Sequence, residues 1–200
     1  MAKQILLTLM VILISSLSVA IYASDPDTEV GSWFQPMGCN GNERTAKIHL
    51  YIQDFKGGRN KTVYEVAHAS ITSTSPTSFG LVQVLDFLMT AGLDLNSEPV
   101  GRFQGFYAAS DMRIKAYTMD INYYFTSGPG RMNGSTINIA GREAIMEQQR
   151  ELAVVGGTGM FRFARGYNFL STYATIVENE YLILESTIYV TYQDESAPCN

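Results

Sequence analysis

The stretch ELAVVGGTGMFRFARGY, residues 151–167, places a group of glycines between two apolar runs. Glycine tolerates positive φ and close backbone approach, so this group predicts a tight turn. The glycines of this group are Gly156 and Gly157, before Thr158, and Gly159, after it. Beyond them, Phe161 and Phe163 alternate with a charged and a small residue, which is the period of a β-strand with one apolar face. The stretch therefore predicts a strand that follows a glycine turn.

The rest of the chain consists of short alternating runs separated by turn residues. The apolar period of two recurs in six runs, at residues 48–53, 81–87, 100–108, 114–125, 136–139 and 181–192. A content of 12 Tyr and 10 Phe also favours strands. One or two helical turns are expected at 143–150 and no longer helix elsewhere. Regularly spaced strands with turn signals predict an all-β barrel or sandwich.

The N-terminal segment, residues 1–23, has the form of a secretory signal peptide. Lys3 precedes an apolar run, and the small residues that follow allow cleavage after Ala20 or Ala23. Serines interrupt the run before it reaches a bilayer-spanning length, which disfavours a membrane anchor. We therefore expect an exported protein that is not held in a membrane.

The remaining chain divides into a polar, turn-rich segment at 24–45, expected to be a flexible arm, and a single folded domain at 46–200. Cys39 and Cys199 are the two cysteines of the chain, and in an oxidising compartment we expect one disulfide between them. Asn60 and Asn133 begin glycosylation sequons among turn residues, which together with the signal peptide predicts a glycoprotein.

Several functional classes are disfavoured by composition. The formal net charge is −5 with no basic stripe, which argues against binding to nucleic acid or to anionic membranes. His49, His68 and two cysteines near the chain ends do not make an ordinary zinc site. No Lys follows the glycines of the 151–167 stretch, so a phosphate-binding loop is disfavoured, and no nucleophile elbow or dinucleotide fingerprint occurs. We expect neither a metal nor a cofactor.

Charged and polar side chains on otherwise apolar strands are the candidates for a functional site. They are Asp54, Asp86, Arg102, Gln104, Tyr107, Glu143 and Arg150. A charge among apolar neighbours needs a partner or a polar pocket when it is buried. Each of these residues, and Arg162 and Arg165 after the glycine turn, also has a structural interpretation as an outward-facing or salt-bridged side chain.

The chain resembles plant dirigent proteins in five blocks that occur in the order typical of that family. They are KIHLYIQD (47–54), FGLVQVLD (79–86), VGRFQGFY (100–107), NGSTINIAGRE (133–143) and RELAVVGGTGMFRFARGY (150–167). This resemblance implies an eight-stranded antiparallel β-barrel of the allene oxide cyclase type. It also implies export to the plant cell wall space and assembly into homo-oligomers, usually trimers, with one ligand pocket in each barrel.

The resemblance also implies site residues. The family's first-strand aspartate corresponds to Asp54 and the tyrosine of its R-x-Q-G-F-Y block to Tyr107. Its acid and arginine, spaced seven apart before the glycine turn, correspond to Glu143 and Arg150. Four departures alter the pattern. Gln53 replaces a common histidine, and Glu143 stands where pinoresinol-forming members have Asp. Where those members tend to carry a second tyrosine, this chain has Ala109, and Ala153 replaces a usual proline.

Three functions are compatible with these features. The first is a protein that binds phenoxy radicals of monolignols such as coniferyl alcohol, made by a separate laccase or peroxidase, and directs their coupling. Asp54 and Glu143 would then serve as general acids, Arg150 as an anchor for a phenolic oxygen, and Tyr107 as a stacking partner. The second is an isoflavanol dehydratase that forms pterocarpans through a quinone methide by acid catalysis. The third is a non-catalytic binding barrel of the cell wall.

Overall fold

A computed structural model of the protein describes residues 33–176 and 180–194. These residues form ten β-strands and one short 3₁₀ helix at Gly159–Phe161. The strands are β1 (Phe34–Asn40), β2 (Glu43–Phe55), β3 (Val63–Ala67), β4 (Val82–Thr90), β5 (Pro99–Ala109), β6 (Ala116–Phe125), β7 (Thr136–Ala144), β8 (Arg150–Thr158), β9 (Arg165–Ile176) and β10 (Tyr181–Gln193). Within the described part of the chain, no helix is long and apolar enough to cross a membrane.

Eight of these strands close into an antiparallel barrel, as the resemblance implies. The strands run in the order β2-β10-β9-β8-β7-β6-β5-β4, and β4 returns to pair with β2. The closing ladder joins Tyr51–Gln53 to Leu88–Thr90. The first half of β2 pairs instead with β1, and β3 pairs with the outer edge of β4. At one end of the closing ladder β1 therefore extends the free edge of β2, and at the other end β3 extends the free edge of β4.

Strict alternation along the strands fills the barrel interior. On β2, Ala46, Ile48, Leu50 and Ile52 are fully buried and point inward, while the residues between them face outward. The same alternation in β6 buries Met119, Ile121, Tyr123 and Phe125. Because successive side chains of a strand point to opposite faces, each inward position is matched by a neighbour on the outer surface.

Aromatic side chains fill the end of the barrel where β2 begins. Trp33 stacks on Phe125 with ring centroids 6.2 Å apart. Phe161 lies 5.4 Å from Phe125 and 5.1 Å from Tyr192, measured between centroids. The predicted arm at 24–45 is therefore wrong for its last part, since residues 33–45 belong to this plug and to the β1–β2 hairpin. Burial of Trp33 and Phe34 holds that segment on the barrel.

The glycine turn differs from its prediction. Gly156 and Gly157 belong to β8, and the chain turns through the 3₁₀ helix and a left-handed Phe163 with φ of 59°. Phe161 is completely buried, whereas Phe163 is 64% exposed. The two rings therefore do not share the face of one strand, and β9 begins only at Arg165. Residues 145–149, where helical turns were expected, form a non-helical loop.

The predicted signal peptide and Cys199 lie outside the described residues. Cys39 lies in β1, and its pairing with Cys199 stays a prediction. Asn60 and Asn133 both lie in exposed turns, and their glycosylation likewise stays a prediction.

The two phenylalanines of the turn make a matched pair for a stability test. We expect Phe161→Ala to lower the free energy of unfolding by about 3–5 kcal/mol, because it removes a fully buried ring from the aromatic plug. Phe163→Ala should change it by less than about 0.5 kcal/mol, since that ring is mostly in solvent. Urea denaturation of both variants measures the difference, and equal losses would contradict the assigned packing.

Candidate functional site

The end of the barrel opposite the aromatic plug contains a cavity of about 120 Å³. It opens where β2 and β9 end and where β6, β8 and β10 begin. Six of its lining residues titrate or carry charge: Asp54, Lys56, Tyr107, Tyr117, Glu143 and Arg150. Apolar side chains such as Phe87, Phe103 and Leu184 complete the wall. The cavity thus combines a flat aromatic lining with four charged groups.

Asp54 is two residues beyond the inward-facing Ile52 on β2, so its side chain lies on the same face of the strand and its carboxyl points into the barrel. The side chain is only 7% exposed, and the nearest cation is Lys56, whose Nζ lies 3.8 Å from Oδ2. Oδ1 is buried and has no hydrogen-bond partner among the described residues. Burial raises the pKa of Asp54 to about 6, with Lys56 opposing the shift. The carboxyl is therefore a proton donor in mildly acidic water.

Glu143 and Arg150 form a buried ion pair across the β7–β8 connection. Glu143 Oε1 lies 3.2 Å from Arg150 Nε, and neither side chain is more than 7% exposed. Burial raises the pKa of Glu143, and Arg150 works against that rise. Arg150 also donates from Nη1 to Thr172 Oγ1 at 3.2 Å and to the Ile145 carbonyl at 3.3 Å.

One nitrogen of Arg150 remains available. Its Nη2 is buried and has no partner within the described ranges. Because an unsatisfied buried guanidinium N–H is costly, a ligand oxygen in the cavity would relieve that cost. Arg150 Nη2 can donate to one oxygen atom of a ligand, and Asp54 Oδ1 can donate to a second oxygen when the carboxyl is protonated.

Two tyrosines line the cavity next to these charges. Tyr107 on β5 and Tyr117 on β6 stack with centroids 4.5 Å apart. The Tyr107 hydroxyl donates to Gln83 Oε1. Burial raises the pKa of both phenols, and the neighbouring carboxylates add to the rise. They stay neutral and supply flat surfaces for an aromatic ligand.

The match to known proteins agrees with this architecture. The family model described as dirigent-like protein matches residues 45–191. The chain belongs to the dirigent family. Dirigent protein 11 of Arabidopsis thaliana is 36% identical over 193 residues, which cover 95% of this chain and 96% of that relative. Pterocarpan synthase 1 of Glycyrrhiza echinata is 34% identical over 185 residues, with 92% and 93% covered.

Solved structures support the same assignment. One structure of a pterocarpan synthase dirigent protein matches with a TM-score of 0.70 at 32% sequence identity, covering 80% of this chain and 91% of that one. A second protein of the same description matches with a TM-score of 0.67 at 30% identity, covering 78% and 99%. At this level of identity the shared barrel and its strand order are those of a dirigent protein.

The dirigent barrel brings together only part of the predicted site. Asp54, Tyr107, Glu143 and Arg150 all line the cavity. Asp86, Arg102 and Gln104 lie on the outer face of β4 and β5, so their predicted role in ligand binding is wrong for this cavity. Arg102 Nε donates to Asp86 Oδ1 at 2.7 Å in a half-exposed ion pair. Alternation explains this result, because Leu85 and Phe87 on either side of Asp86 point inward.

Two titratable cavity residues, Lys56 and Tyr117, were missed by the sequence analysis. Lys56 follows Asp54 by two positions, a spacing that puts both side chains on one side of the strand. Tyr117 lies opposite Ala109 in the β5–β6 ladder and is two residues before the inward-facing Met119. Both residues could have been found by extending the alternation of their strands by one step.

Gln53, which replaces the family's common histidine, does not line the cavity. It lies fully buried on the outer side of β2, where Nε2 donates to Thr90 Oγ1 at 2.7 Å. Its Oε1 accepts from the Tyr181 hydroxyl. The amide therefore links β2 to β4 through Thr90 and to β10 through Tyr181. Gln53 is not among the residues that line the cavity, so this departure from the family's histidine does not directly change the cavity wall.

The buried Asp54 makes the stability of the barrel depend on pH. Its pKa is raised in the folded protein, so the folded state binds more protons than the unfolded chain between about pH 4 and 6. Stability therefore falls as the pH rises through this range. We expect Asp54→Asn to remove the fall and to increase the free energy of unfolding at pH 7.5 by about 2 kcal/mol. Near pH 4, where the carboxyl is neutral in the folded state and about half protonated in the unfolded chain, the difference should shrink to less than about 1 kcal/mol.

Urea denaturation at pH 4 and at pH 7.5 measures this difference. A variant that is less stable than the parent at pH 7.5 would show that the ionised carboxylate stabilises the fold, contrary to its raised pKa.

Proposed function

We propose that this dirigent barrel binds a phenolic molecule and directs, by proton transfer from Asp54, a stereoselective reaction that passes through a quinone methide. The observation that carries the proposal is the buried Asp54 carboxyl, with an unpartnered Oδ1 in an aromatic cavity. A group with a raised pKa in such a place is suited to general acid catalysis. Arg150, which lines the same cavity, would hold a ligand oxygen with its unpartnered Nη2.

The size of the cavity favours a reaction of one molecule. A volume of about 120 Å³ accommodates roughly one aromatic ring, since a cavity of about 150 Å³ binds benzene, so a larger phenolic such as an isoflavanol would place one ring there and extend out of the mouth. Dehydration of an isoflavanol to a pterocarpan is such a reaction. The relative named pterocarpan synthase 1, at 34% identity over 92% of this chain, supports this choice. Isoflavanol dehydration is therefore the function that we favour.

The proposed steps conserve atoms and charge. Neutral Asp54 donates its proton to the substrate hydroxyl, the carbon–oxygen bond breaks, and water leaves. The phenol conjugated to that carbon loses its own proton to water at the mouth of the cavity, which gives a neutral quinone methide whose oxygen would lie at Arg150. A second phenolic hydroxyl adds to the same carbon and passes its proton to the Asp54 carboxylate, while the quinone methide oxygen regains a proton from water. The sum is loss of one water, and Asp54 is restored.

Oxidase-dependent radical coupling is the second candidate. Relatives named dirigent proteins, at 36% and 39% identity over most of this chain, favour it. The stacked Tyr107 and Tyr117 would then hold one face of a monolignol radical that a separate laccase or peroxidase supplies. A difference of about 1.4 kcal/mol between the two faces gives tenfold selectivity. Asp54 would act later, on the quinone methide that coupling leaves.

Chiral chromatography distinguishes these reactions. We expect the protein to convert an isoflavanol to one pterocarpan enantiomer without any oxidase, and Asp54→Asn to lower kcat at least about 100-fold. Asp86→Asn is the matched control, because it removes a carboxylate from the outer face of the same barrel. It should retain the activity.

The companion assay couples coniferyl alcohol with a laccase. We expect a racemic product there, with or without the protein. Enantiomeric excess in this assay, combined with no isoflavanol turnover, would replace the first candidate by the second. No effect in either assay, from protein shown to be folded, would reject both and leave a binding barrel.

Export and assembly are part of the proposal. The apolar segment at 1–23 and the exposed sequons at Asn60 and Asn133 support secretion into the plant cell wall space as a glycoprotein. Family membership supports a homo-oligomer, with a trimer favoured. Light scattering on protein collected from the medium of secreting plant cells should give three times the mass of one chain. Retention inside the cells, or a monomer mass, would contradict this part.

A further inference from the structure

Lys56 and Glu143 are the charged cavity residues to which the proposed reaction gives no direct role, and Glu143 is engaged in its ion pair with Arg150. Lys56 follows the last residue of β2 and is separated from Asp54 by Phe55 alone. Its side chain is 47% exposed, whereas that of Asp54 is 7% exposed. The ammonium group therefore lies at the mouth of the cavity, between water and the buried carboxyl.

The two oxygens of the Asp54 carboxyl have different surroundings. Oδ2 lies 3.8 Å from Lys56 Nζ, and Oδ1 is buried without a partner in the described part of the chain. An ammonium group donates hydrogen bonds and accepts none. At 3.8 Å the contact is an ion pair, and its positive charge disfavours a proton on Oδ2, so the proton of the neutral acid is left on Oδ1.

We propose that Lys56 is a positioning residue, which directs the acidic proton of Asp54 to Oδ1, where the ligand would receive it, and holds the carboxyl ready to ionise when that proton leaves. The inference rests on the proposed role of Asp54 as a proton donor. Its physical basis is the asymmetric pair of oxygens and a single half-exposed cation at the mouth.

The other charges around Asp54 do not substitute for Lys56. The groups that face the cavity are Glu143 on β7, Arg150 on β8, Tyr107 on β5 and Tyr117 on β6, and the linings from β4, β9 and β10 carry no titratable side chain. Glu143 and Arg150 are paired with each other at 3.2 Å, and the Glu143 carboxylate raises the pKa of Asp54 further, in the opposite sense to Lys56. Lys56 is the main influence that opposes the effect of burial on the pKa of Asp54.

Three substitutions test the role. Lys56→Met removes the ammonium and keeps the length of the side chain, and Lys56→Arg keeps the charge. Lys61→Met is the matched control, since that lysine lies on the outer surface with Nζ 5.1 Å from the centroid of the Tyr64 ring. The first readout is the midpoint of the Asp54 carboxyl in a ¹³C NMR titration of the protein without ligand. The second is the pH profile of isoflavanol turnover.

In the titration, we expect Lys56→Met to raise the Asp54 midpoint by about 0.5–1 pH unit, less than for a buried pair because the lysine is half in solvent. Lys56→Arg should restore the parent value, and Lys61→Met should leave it unchanged. A midpoint within about 0.2 unit of the parent value in Lys56→Met would overturn the proposal. Because this readout needs no substrate, it stands even if the protein turns over no isoflavanol.

In the turnover assay, we expect Lys56→Met to lower kcat about tenfold on the low-pH plateau, where Asp54 is protonated in every variant, with KM little changed. A proton on the wrong oxygen gives this result, whereas a loss of charge alone would only move the profile along the pH axis. A plateau kcat equal to that of the parent would refute the orienting role. Absence of turnover in the parent protein would reject the proposed function, and the titration alone would then decide whether Lys56 acts on the Asp54 carboxyl.

Discussion

The ladder between β2 and β4 closes the sheet, and the interior of the protein exists only because of that closure. It comprises three residue pairs, from Tyr51–Thr90 to Gln53–Leu88. The buried amide of Gln53 reinforces it through Thr90 and Tyr181. Immediately beyond the ladder, β2 places Asp54 inside the barrel. The same strand therefore closes the barrel and positions the acid, so the geometry of the cavity depends on this short pairing.

The two ends of the barrel have opposite chemistry. Rings of Trp33, Phe125, Phe161 and Tyr192 fill one end, where dense packing contributes to stability. At the other end, two carboxyls and an arginine are buried around an unfilled space. Removing charges from water costs free energy unless pairing and hydrogen bonds compensate, and two polar atoms there have no partner within the described residues. The aromatic end offsets the cost of the polar end.

Much of this arrangement follows from the sequence because its strands alternate strictly. The barrel, and the presence of Asp54, Tyr107, Glu143 and Arg150 in one cavity, were predictable from the family resemblance of five sequence blocks and their order. Alternation does not show which of the two faces of a strand points into the barrel. Asp86 was therefore expected in the cavity, whereas its neighbours Leu85 and Phe87 are the side chains of β4 that point inward. Phe161 and Phe163 keep the spacing of a strand, yet a left-handed backbone at Phe163 separates them. Such a local conformation depends on tertiary packing, which sequence periodicity does not encode.

Burial of Asp54 works against the stability of the protein. Its raised pKa means that near neutral pH the fold keeps an ionised carboxyl in a place that favours the neutral form. An uncharged residue of similar shape would relieve this cost, and Lys56, at 3.8 Å and half in solvent, only reduces it. A structural carboxylate would be expected to have closer partners, as Glu143 has in Arg150. A residue that destabilises the fold and keeps one oxygen unpartnered is better explained by chemistry at that oxygen than by packing.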